Sequence, residues 1–120
     1  MSKKTIVLGA SNNPLRYSYK AISLLLTYHH EVIPMGIKKD EVLGIKIIND
    51  LPEMNNVDTI TLYLGPRNQE SYYKFILNTK PARIIFNPGT ENSKLKQLCE
   101  QNNITCVEDC TLIMLHQGTY

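Results

Sequence analysis

Near its amino terminus the chain reads Thr5-Ile-Val-Leu-Gly-Ala-Ser-Asn-Asn-Pro-Leu-Arg-Tyr-Ser18. The apolar run from Ile6 to Leu8 predicts a buried strand, Gly9 predicts a tight turn, and a helical pattern begins near Tyr17. A strand, a glycine turn and a helix start in this order present backbone N–H groups and a positive helix end to a phosphate. The stretch therefore indicates an α/β fold with a phosphate site after its first strand, and the alternative is a turn that is only structural.

The glycine turn matches neither of the two common phosphate-binding loops. Ser11 stands where a G-x-G-x-x-G loop has its second glycine, and no G-K-[S/T] follows as in a P-loop. Arg16, just before the helix, adds a guanidinium whose planar fork suits phosphate oxygens. The loop alone leaves both interpretations open.

Composition predicts one ordinary globular domain over residues 1–120, with 42% hydrophobic and 20% charged residues. The formal net charge of +2 gives no indication of a nucleic-acid partner. The longest apolar run, around Leu24, is too short to cross a membrane, and the first residues do not resemble a signal peptide. We therefore expect a cytoplasmic protein that binds neither nucleic acid nor a membrane.

Three cysteines, Cys99, Cys106 and Cys110, lie near the carboxyl terminus together with His116. An odd count without a C-x-x-C pair argues against a disulfide framework, and the spacing matches no familiar zinc site. Free thiols are favoured over a metal site. A thiolate nucleophile at Cys110 remains an alternative, but the sequence predicts no catalytic set of residues and no metal.

Strand-like and helical runs alternate along the whole chain. The predicted strands are Lys4–Leu8, Glu31–Pro34, Thr59–Leu64, Arg83–Phe86 and Ile104–Val107, with a minor strand or extended segment at Ile45–Ile48. The predicted helices are Tyr17–Tyr28, Pro66–Asn78, Glu91–Gln101 and Thr111–His116, the last capped by Asp109. This alternation predicts an α/β fold with a single doubly wound parallel sheet of about five strands in the order 3-2-1-4-5.

The ligand crevice of such a sheet lies at the carboxyl ends of its strands, where two further turns carry polar residues. After the second strand, Lys38 and Lys39 stand where an NAD site has a carboxylate, and the first acid is Asp40. Cations there favour a ligand with an additional ribose phosphate, such as NADP or coenzyme A. The alternative is a solvated lysine pair.

After the fourth strand the chain reads Asn87-Pro-Gly-Thr-Glu-Asn92. Gly89 permits close backbone approach, and Asn87 or Thr90 offers polar atoms to a ligand. The alternative is a helix-start turn in which Thr90 caps the helix and Glu91 complements its positive end.

Four segments in order resemble a known family and together span almost the whole chain. They are Val7-Leu-Gly-Ala-Ser-Asn-Asn-Pro-Leu-Arg-Tyr-Ser18, Val32-Ile-Pro-Met-Gly-Ile-Lys38 with Glu41-Val-Leu-Gly-Ile-Lys46, Asn87-Pro-Gly-Thr-Glu-Asn92, and Val107-Glu-Asp-Cys-Thr111. The chain resembles the stand-alone CoA-binding domain family, a Rossmann-like group related to the CoA-binding domain of succinyl-CoA synthetase. The resemblance implies a Rossmann-like fold and coenzyme A as the ligand.

The resemblance also implies roles for the glycine turn. Gly9, Ala10 and Ser11 would hold the pyrophosphate of coenzyme A. Arg16 and Ser18 would lie close by.

Other residues would complete the site by the same resemblance. Pro34 would shape the adenosine pocket, and Lys38 would lie near the ribose phosphate. Asn87, Gly89 and Glu91 would form the rim.

The chain departs from the family pattern after the third strand. Many relatives have an arginine almost directly at the strand end, whereas here the run is Leu64-Gly-Pro-Arg67, so Arg67 either replaces that residue or the contact is lost. Relatives often have a glutamine near position 87, and Asn87 is shorter.

The sequence thus predicts a protein that binds coenzyme A or an acyl-CoA without an identified catalytic step. One alternative is an NADP-dependent enzyme. Another is a protein-interaction module whose nucleotide site is vestigial. The sequence names no protein partner.

Overall fold

The central feature of the computed structural model, which describes residues 2–120, is a five-stranded parallel sheet. The strands in chain order are β1 (Thr5–Leu8), β2 (Val32–Met35), β3 (Glu41–Val42), β4 (Ile45–Lys46), β5 (Thr59–Leu62), β6 (Arg83–Phe86) and β7 (Thr105–Glu108). The sheet has the order β2-β1-β5-β6-β7, and β3 and β4 form a separate antiparallel hairpin. Every residue of β1 and β5 is buried, as expected for central strands covered on both faces.

The helices cover both faces of the sheet. They are α1 (Tyr17–Thr27), α2 (Pro66–Gln69), α3 (Tyr73–Thr79), α4 (Ser93–Gln101) and α5 (Thr111–Gln117), with a 3₁₀ turn over Glu70–Tyr72 between α2 and α3. On one face α1 packs against α5, where Ile22 and Leu115 share a core with Val7. On the other face α3 packs against α4. The predicted doubly wound α/β class is confirmed.

The third predicted strand, β5, lies next to β1 inside the sheet, whereas the predicted order placed it at the edge. Counted as in the prediction, the order is 2-1-3-4-5, because β5 pairs with β1 and leaves β2 at the edge. Pro34 explains this placement, since proline has no N–H to donate and is confined to sheet edges or bulges. Its carbonyl accepts from Ile48 N–H at 2.9 Å, in the segment that follows the β3–β4 hairpin. The carboxyl end of β1 remains the point where the order reverses, so the predicted position of the crevice is unchanged.

Several element boundaries differ from the prediction. The segment at 45–48 contributes β4 of the hairpin, and Ile48 forms an isolated bridge to Met35. The helix predicted over 66–78 is interrupted by the 3₁₀ turn, where Tyr72 has φ −102° and ψ −3°.

The cap predicted for the last helix, Asp109, is wrong, and so is Thr90, the cap that the structural alternative gave to the helix before it. The helix α4 begins at Ser93, and its cap is Asn92, whose side chain accepts from Leu95 N–H. At α5 the N-cap is Cys110, and Asp109 instead accepts from the N–H of Cys110. The helix α4 starts two residues later than the predicted Glu91, whereas α5 starts at Thr111 as predicted. Within residues 2–120 no helix is long and apolar enough to cross a membrane.

Candidate functional site

The carboxyl ends of the strands open on a cleft of about 950 Å³. Its walls come from five segments: residues 9–13, residues 16–18, Ile37 with Lys38, residues 63–72 in part, and residues 88–90. These segments follow β1, β2, β5 and β6, so the cleft lies at the switch point of the sheet, where ligands of open α/β folds bind.

Most of the residues predicted for the site line this one cleft. Those present are Gly9, Ala10, Ser11, Arg16, Ser18, Lys38 and Gly89. Three predicted residues do not line it: Pro34 is buried in β2, Asn87 is buried beneath the cleft, and Glu91 is exposed beyond it. The structure therefore brings the glycine turn, the helix start and the lysine loop together.

The glycine turn is shaped by pairing with the neighbouring strand. The N–H groups of Gly9 and Ala10 both donate to the carbonyl of Met35, at 2.8 and 3.0 Å. Gly9 has φ +96°, and a Cβ at this position would come within 3.0 Å of Leu64 and of the Tyr63 carbonyl carbon. Gly9 and Ala10 therefore form the turn, and their N–H groups are occupied within the fold.

Free donors begin one residue later. Ser11 Oγ accepts from Asn13 N–H, Asn13 Oδ1 accepts from Leu15 N–H, and Arg16 N–H donates to the Asn13 carbonyl. These bonds hold the loop open in front of the helix. Within residues 2–120 the N–H groups of Ser11 and Asn12 have no hydrogen-bond partner.

The amino end of α1 is also open. Its N-cap is Arg16, whose side chain makes no capping hydrogen bond, and the first turn contains no acidic residue. The helix has 11 residues, so its positive end carries an appreciable partial charge. Tyr17 and Ser18 of the first turn line the cleft. The helix end therefore offers N–H donors to an anion bound there.

Three cations and one carboxylate line the cleft. The cations are Arg16, Lys38 and Arg67, and the carboxylate is Glu70. Both ion pairs found in residues 2–120, Arg83 with Asp58 and Lys96 with Glu108, involve other residues. The three cations are thus available to an anionic ligand, and a phosphate would relieve their mutual repulsion.

The loop carrying Lys38 is held from two sides. Asn49 Nδ2 donates to the carbonyls of Gly36 and Lys38, at 2.9 and 2.7 Å. On the other side, Asp40 Oδ2 accepts from Asn12 Nδ2, which joins this loop directly to the glycine turn. The other carboxylate oxygen of Asp40 accepts from Glu41 N–H at 2.8 Å.

Asn87 ties together the elements beneath the cleft. Its Nδ2 donates to Thr61 Oγ1 and to the Leu62 carbonyl, and its Oδ1 accepts from Thr111 N–H. The side chain is buried, so these bonds hold the end of β6 against β5 and α5. Asn87 therefore joins three elements of the fold beneath the cleft.

At the rim, Gly89 has φ +91°, and its N–H donates to Glu91 Oε1 at 2.9 Å. Thr90 is buried, and its hydroxyl donates to the Asn87 carbonyl. The turn is therefore closed by its own side chains, with Gly89 facing the cleft.

The loops that follow β5 and β6 are joined by a residue that sequence reasoning missed. Gln69 is fully buried in α2, and its Nε2 donates to the Leu64 and Thr90 carbonyls at 2.8 Å each. Its Oε1 accepts from Asn92 Nδ2. The sequence carries no signal for this contact, because Gln69 lies in the polar stretch Arg67-Asn-Gln-Glu-Ser71 and nothing there marks it as buried.

Other lining residues also escaped prediction, namely Ile37, Tyr63, Asn68, Ser71 and Tyr72. Burial raises the pKa of Tyr63 far above its usual range, so this phenol stays neutral at physiological pH. Ile37 follows a predicted strand, Tyr63 lies near the end of another, and the other three lie in the first half of a predicted helix. Only the folded arrangement turns them toward a common space.

The titratable groups considered for catalysis lie elsewhere. Within the described residues, the cleft lining includes none of the three histidines and none of the three cysteines. Burial raises the pKa of Cys99 to about 12, which keeps it a thiol. Residues 2–120 contain no group of three or more His, Cys, Asp or Glu side chains positioned to hold a metal ion.

Known proteins resemble this chain over its whole length. The uncharacterized protein YneT of Bacillus subtilis (strain 168) is 24% identical over 119 residues, which make up 98% of this chain and 88% of that protein. A crystal structure of an uncharacterized protein is 51% identical, with a TM-score of 0.98 over 100% of this chain and 99% of the other.

A larger protein contains the same fold. The dinucleotide-forming acetyl-coenzyme A synthetase 1 of Ca. Korarchaeum cryptofilum, in complex with phosphate and ADP, matches with a TM-score of 0.71 and 16% identity. The match covers 90% of this chain and 26% of that one, and at this identity it establishes the fold alone. The family described as CoA binding domain matches residues 3–116. The chain therefore belongs to the CoA binding domain family.

Proposed function

We propose that this protein binds coenzyme A or an acyl-CoA in the cleft and does not itself transform the ligand. The observation that carries the proposal is the open amino end of α1, with unpartnered N–H groups before it and three unpaired cations around it. Such an arrangement suits a ligand with several phosphates. Membership of the CoA binding domain family supports coenzyme A as that ligand.

The pyrophosphate would be held by the backbone after the glycine turn. Its donors would be the N–H groups of Ser11 and Asn12 and the first turn of α1, near Ser18. Arg16 would add charge-assisted hydrogen bonds. Gly9 and Ala10 would support this site by shaping the turn rather than by donating to the phosphate.

The remaining phosphate of coenzyme A, on the ribose, would meet Lys38. Asp40 supports this assignment over NAD, because it does not line the cleft and its carboxylate faces Asn12 and Glu41 N–H rather than the position of a ribose 2′-hydroxyl. Pro34 would shape the adenosine side indirectly, through the path of β2. Gly89 and Glu91 would border the pantetheine end, with Asn87 as their internal support.

We propose no catalytic step, because the residues that line the cleft do not include a nucleophile paired with a base. Nucleophilic catalysis needs a nucleophile within hydrogen-bond reach of a base. Ser11 Oγ accepts from Asn13 N–H, and no histidine lines the part of the cleft that the structure describes. We therefore expect acetyl-CoA to remain intact in the presence of the protein.

Thermal unfolding in the presence of different ligands tests the proposal, because a ligand that binds only the folded state raises the unfolding midpoint. We expect coenzyme A to raise the midpoint more than NADP or NAD does. A larger shift with NADP would favour the dehydrogenase alternative. No shift with any of the three would favour an interaction module.

Release of free thiol from acetyl-CoA tests the second half of the proposal. We expect acetyl-CoA to release free thiol at the same rate with the protein as in buffer alone. Protein-dependent release that is lost in a Cys110→Ser variant would overturn the non-enzymatic assignment.

A further inference from the structure

The loop that carries Lys38 is joined to the glycine turn by one side-chain contact, the hydrogen bond from Asn12 Nδ2 to Asp40 Oδ2. Residue 12 follows β1, and residue 40 follows the neighbouring strand β2, so the contact joins two adjacent loops at the side of the cleft. Asn12 and Lys38 both line the cleft, whereas Asp40 does not. Asp40 is therefore placed to act on a ligand through Asn12 and Lys38.

Asp40 itself is anchored by the hairpin that follows β2. Its carbonyl accepts from Ile47 N–H at 2.9 Å, just beyond β4, and its Oδ1 accepts from Glu41 N–H at the start of β3. Ile47 is fully buried, so the anchor rests on the core. The hairpin thus holds the Asp40 carboxylate in one orientation toward Asn12.

Asn12 needs this support because its surroundings provide little else. It is exposed, it follows the turn at Gly9, and its own N–H has no partner within residues 2–120. The Lys38 loop is exposed as well, and apart from Asp40 its side-chain contacts to the body of the protein come from Asn49. A free loop would have to be ordered when the ligand binds, which weakens binding.

We infer that Asp40 is a positioning residue for specificity: its hydrogen bond to Asn12 sets the distance between the pyrophosphate donors and Lys38. This inference rests on the proposed function. With the bond in place, the pyrophosphate and the ribose phosphate of coenzyme A both meet partners that are already positioned. Without it, the loop is held from one side only, by Asn49, so Lys38 is less well positioned and the ribose phosphate contributes less to binding.

The test compares the affinities for coenzyme A and for dephospho-CoA, which lacks only the ribose 3′-phosphate, by titration calorimetry. The ratio of the two affinities measures what that phosphate contributes. Partial unfolding of a variant lowers both affinities by the same factor, so a purely structural role of Asp40 leaves the ratio unchanged.

The matched variants are Asp40→Ala and Asp40→Asn. Both remove the same negative charge, but asparagine keeps a hydrogen bond to Asn12: its Oδ1 still accepts from Glu41 N–H, and its Nδ2 donates to Asn12 Oδ1 once the Asn12 amide is flipped. We expect the wild type and Asp40→Asn to prefer coenzyme A by roughly fivefold, as for one partly exposed charge contact. For Asp40→Ala we expect a preference of about twofold or less.

A double-mutant cycle identifies the partner. If Asp40 acts through Asn12, then Asn12→Ala in the Asp40→Ala background lowers the preference no further. Equal ratios for Asp40→Ala and Asp40→Asn would overturn the inference, as would additive effects in the cycle. Failure of the proposed function gives a different result, since the wild type would then bind neither ligand.

Discussion

Arg16 is the N-cap of α1 and also a cation of the cleft wall. Arginine is not among the residues that helices prefer at the N-cap. An asparagine or serine there would satisfy the helix end with its own side chain. Arginine leaves the N–H groups free and adds a positive charge beside them. The uncapped N–H groups destabilise the amino end of α1, and a bound anion would supply the acceptor that they lack.

We expect Arg16→Ala to weaken binding of coenzyme A by about ten- to a hundredfold, since charge-assisted hydrogen bonds contribute roughly 1.5–3 kcal/mol. Stability should change little, because the side chain is exposed. Lys20→Ala is the matched control, as Lys20 is an exposed cation of the same helix outside the cleft lining. Titration calorimetry measures both, and equal affinities for the two variants would contradict the role of Arg16.

Gly9 is required by geometry rather than by direct contact with a phosphate. Gly9→Ala should lower the free energy of unfolding by about 1–3 kcal/mol, because φ is +96° and the new Cβ would meet Leu64 and Tyr63 at 3.0 Å. Gly9→Val should abolish ligand binding as well. Gly65→Ala is the control, since its φ is −65° and nothing lies within 4 Å of the added Cβ. Urea unfolding measures the stability of Gly9→Ala and of Gly65→Ala. Equal stabilities would contradict the strain expected at residue 9.

At the scale of elements, the wall opposite the glycine turn depends on how α2, α3 and α4 are linked. Asn92 caps α4 through Leu95 N–H, and its Nδ2 donates to Gln69 Oε1 and to the Tyr73 hydroxyl. Gln69 in turn bonds the Leu64 and Thr90 carbonyls. One polar network thus joins the helix starts on this wall to the two loops that border the cleft.

Asn92→Ala should lower the free energy of unfolding by about 1–3 kcal/mol, because it removes the cap and leaves a buried polar group without a partner. Asn92→Asp keeps an acceptor for Leu95 N–H but removes the two donated hydrogen bonds. We therefore expect an intermediate loss for Asn92→Asp in urea unfolding. If both variants are as stable as the wild type, the network does not stabilise the wall.

Across the whole molecule, the end of the sheet away from the cleft contains its own polar cluster. His30 Nδ1 accepts from Lys3 N–H at 2.9 Å, and its ring lies edge-on to Tyr120, with centroids 5.0 Å apart. Arg83 lies over the other aromatic face at 4.3 Å from the Tyr120 centroid. This cluster joins both termini of the described chain to the sheet.

Burial lowers the pKa of His30 below its usual value of about 6.5, and the nearby charges of Lys3 and Arg83 lower it further. The unfolded chain therefore binds more protons below pH 6.5, so the free energy of unfolding falls as the pH drops through the folded-state pKa. We expect His30→Gln to reduce this slope between pH 7.5 and 5.5. His29→Asn, at an exposed position with φ +66°, should keep it. Urea unfolding at several pH values provides the comparison, and equal slopes would exclude His30 as the group responsible.

Local patterns were sufficient to predict the α/β class, the strands of the sheet and the position of the cleft. Apolar periodicity, a glycine turn and the start of a helix are properties of neighbouring residues, and parallel strands bring their carboxyl ends together whatever their order. Seven of the predicted site residues therefore line one cleft. Pro34 also carried the information that β2 is an edge strand, but the predicted order did not use it.

Which polar atoms remain free for a ligand depends on partners far apart in the sequence, and only the tertiary structure decides it. The N–H groups of Gly9 and Ala10 are occupied by Met35, and the carboxylate of Asp40 is occupied by Asn12. The amide of Asn87 is likewise used to hold Thr111. A residue type and its spacing show that a group can donate or accept, whereas the fold determines whether another residue already satisfies it.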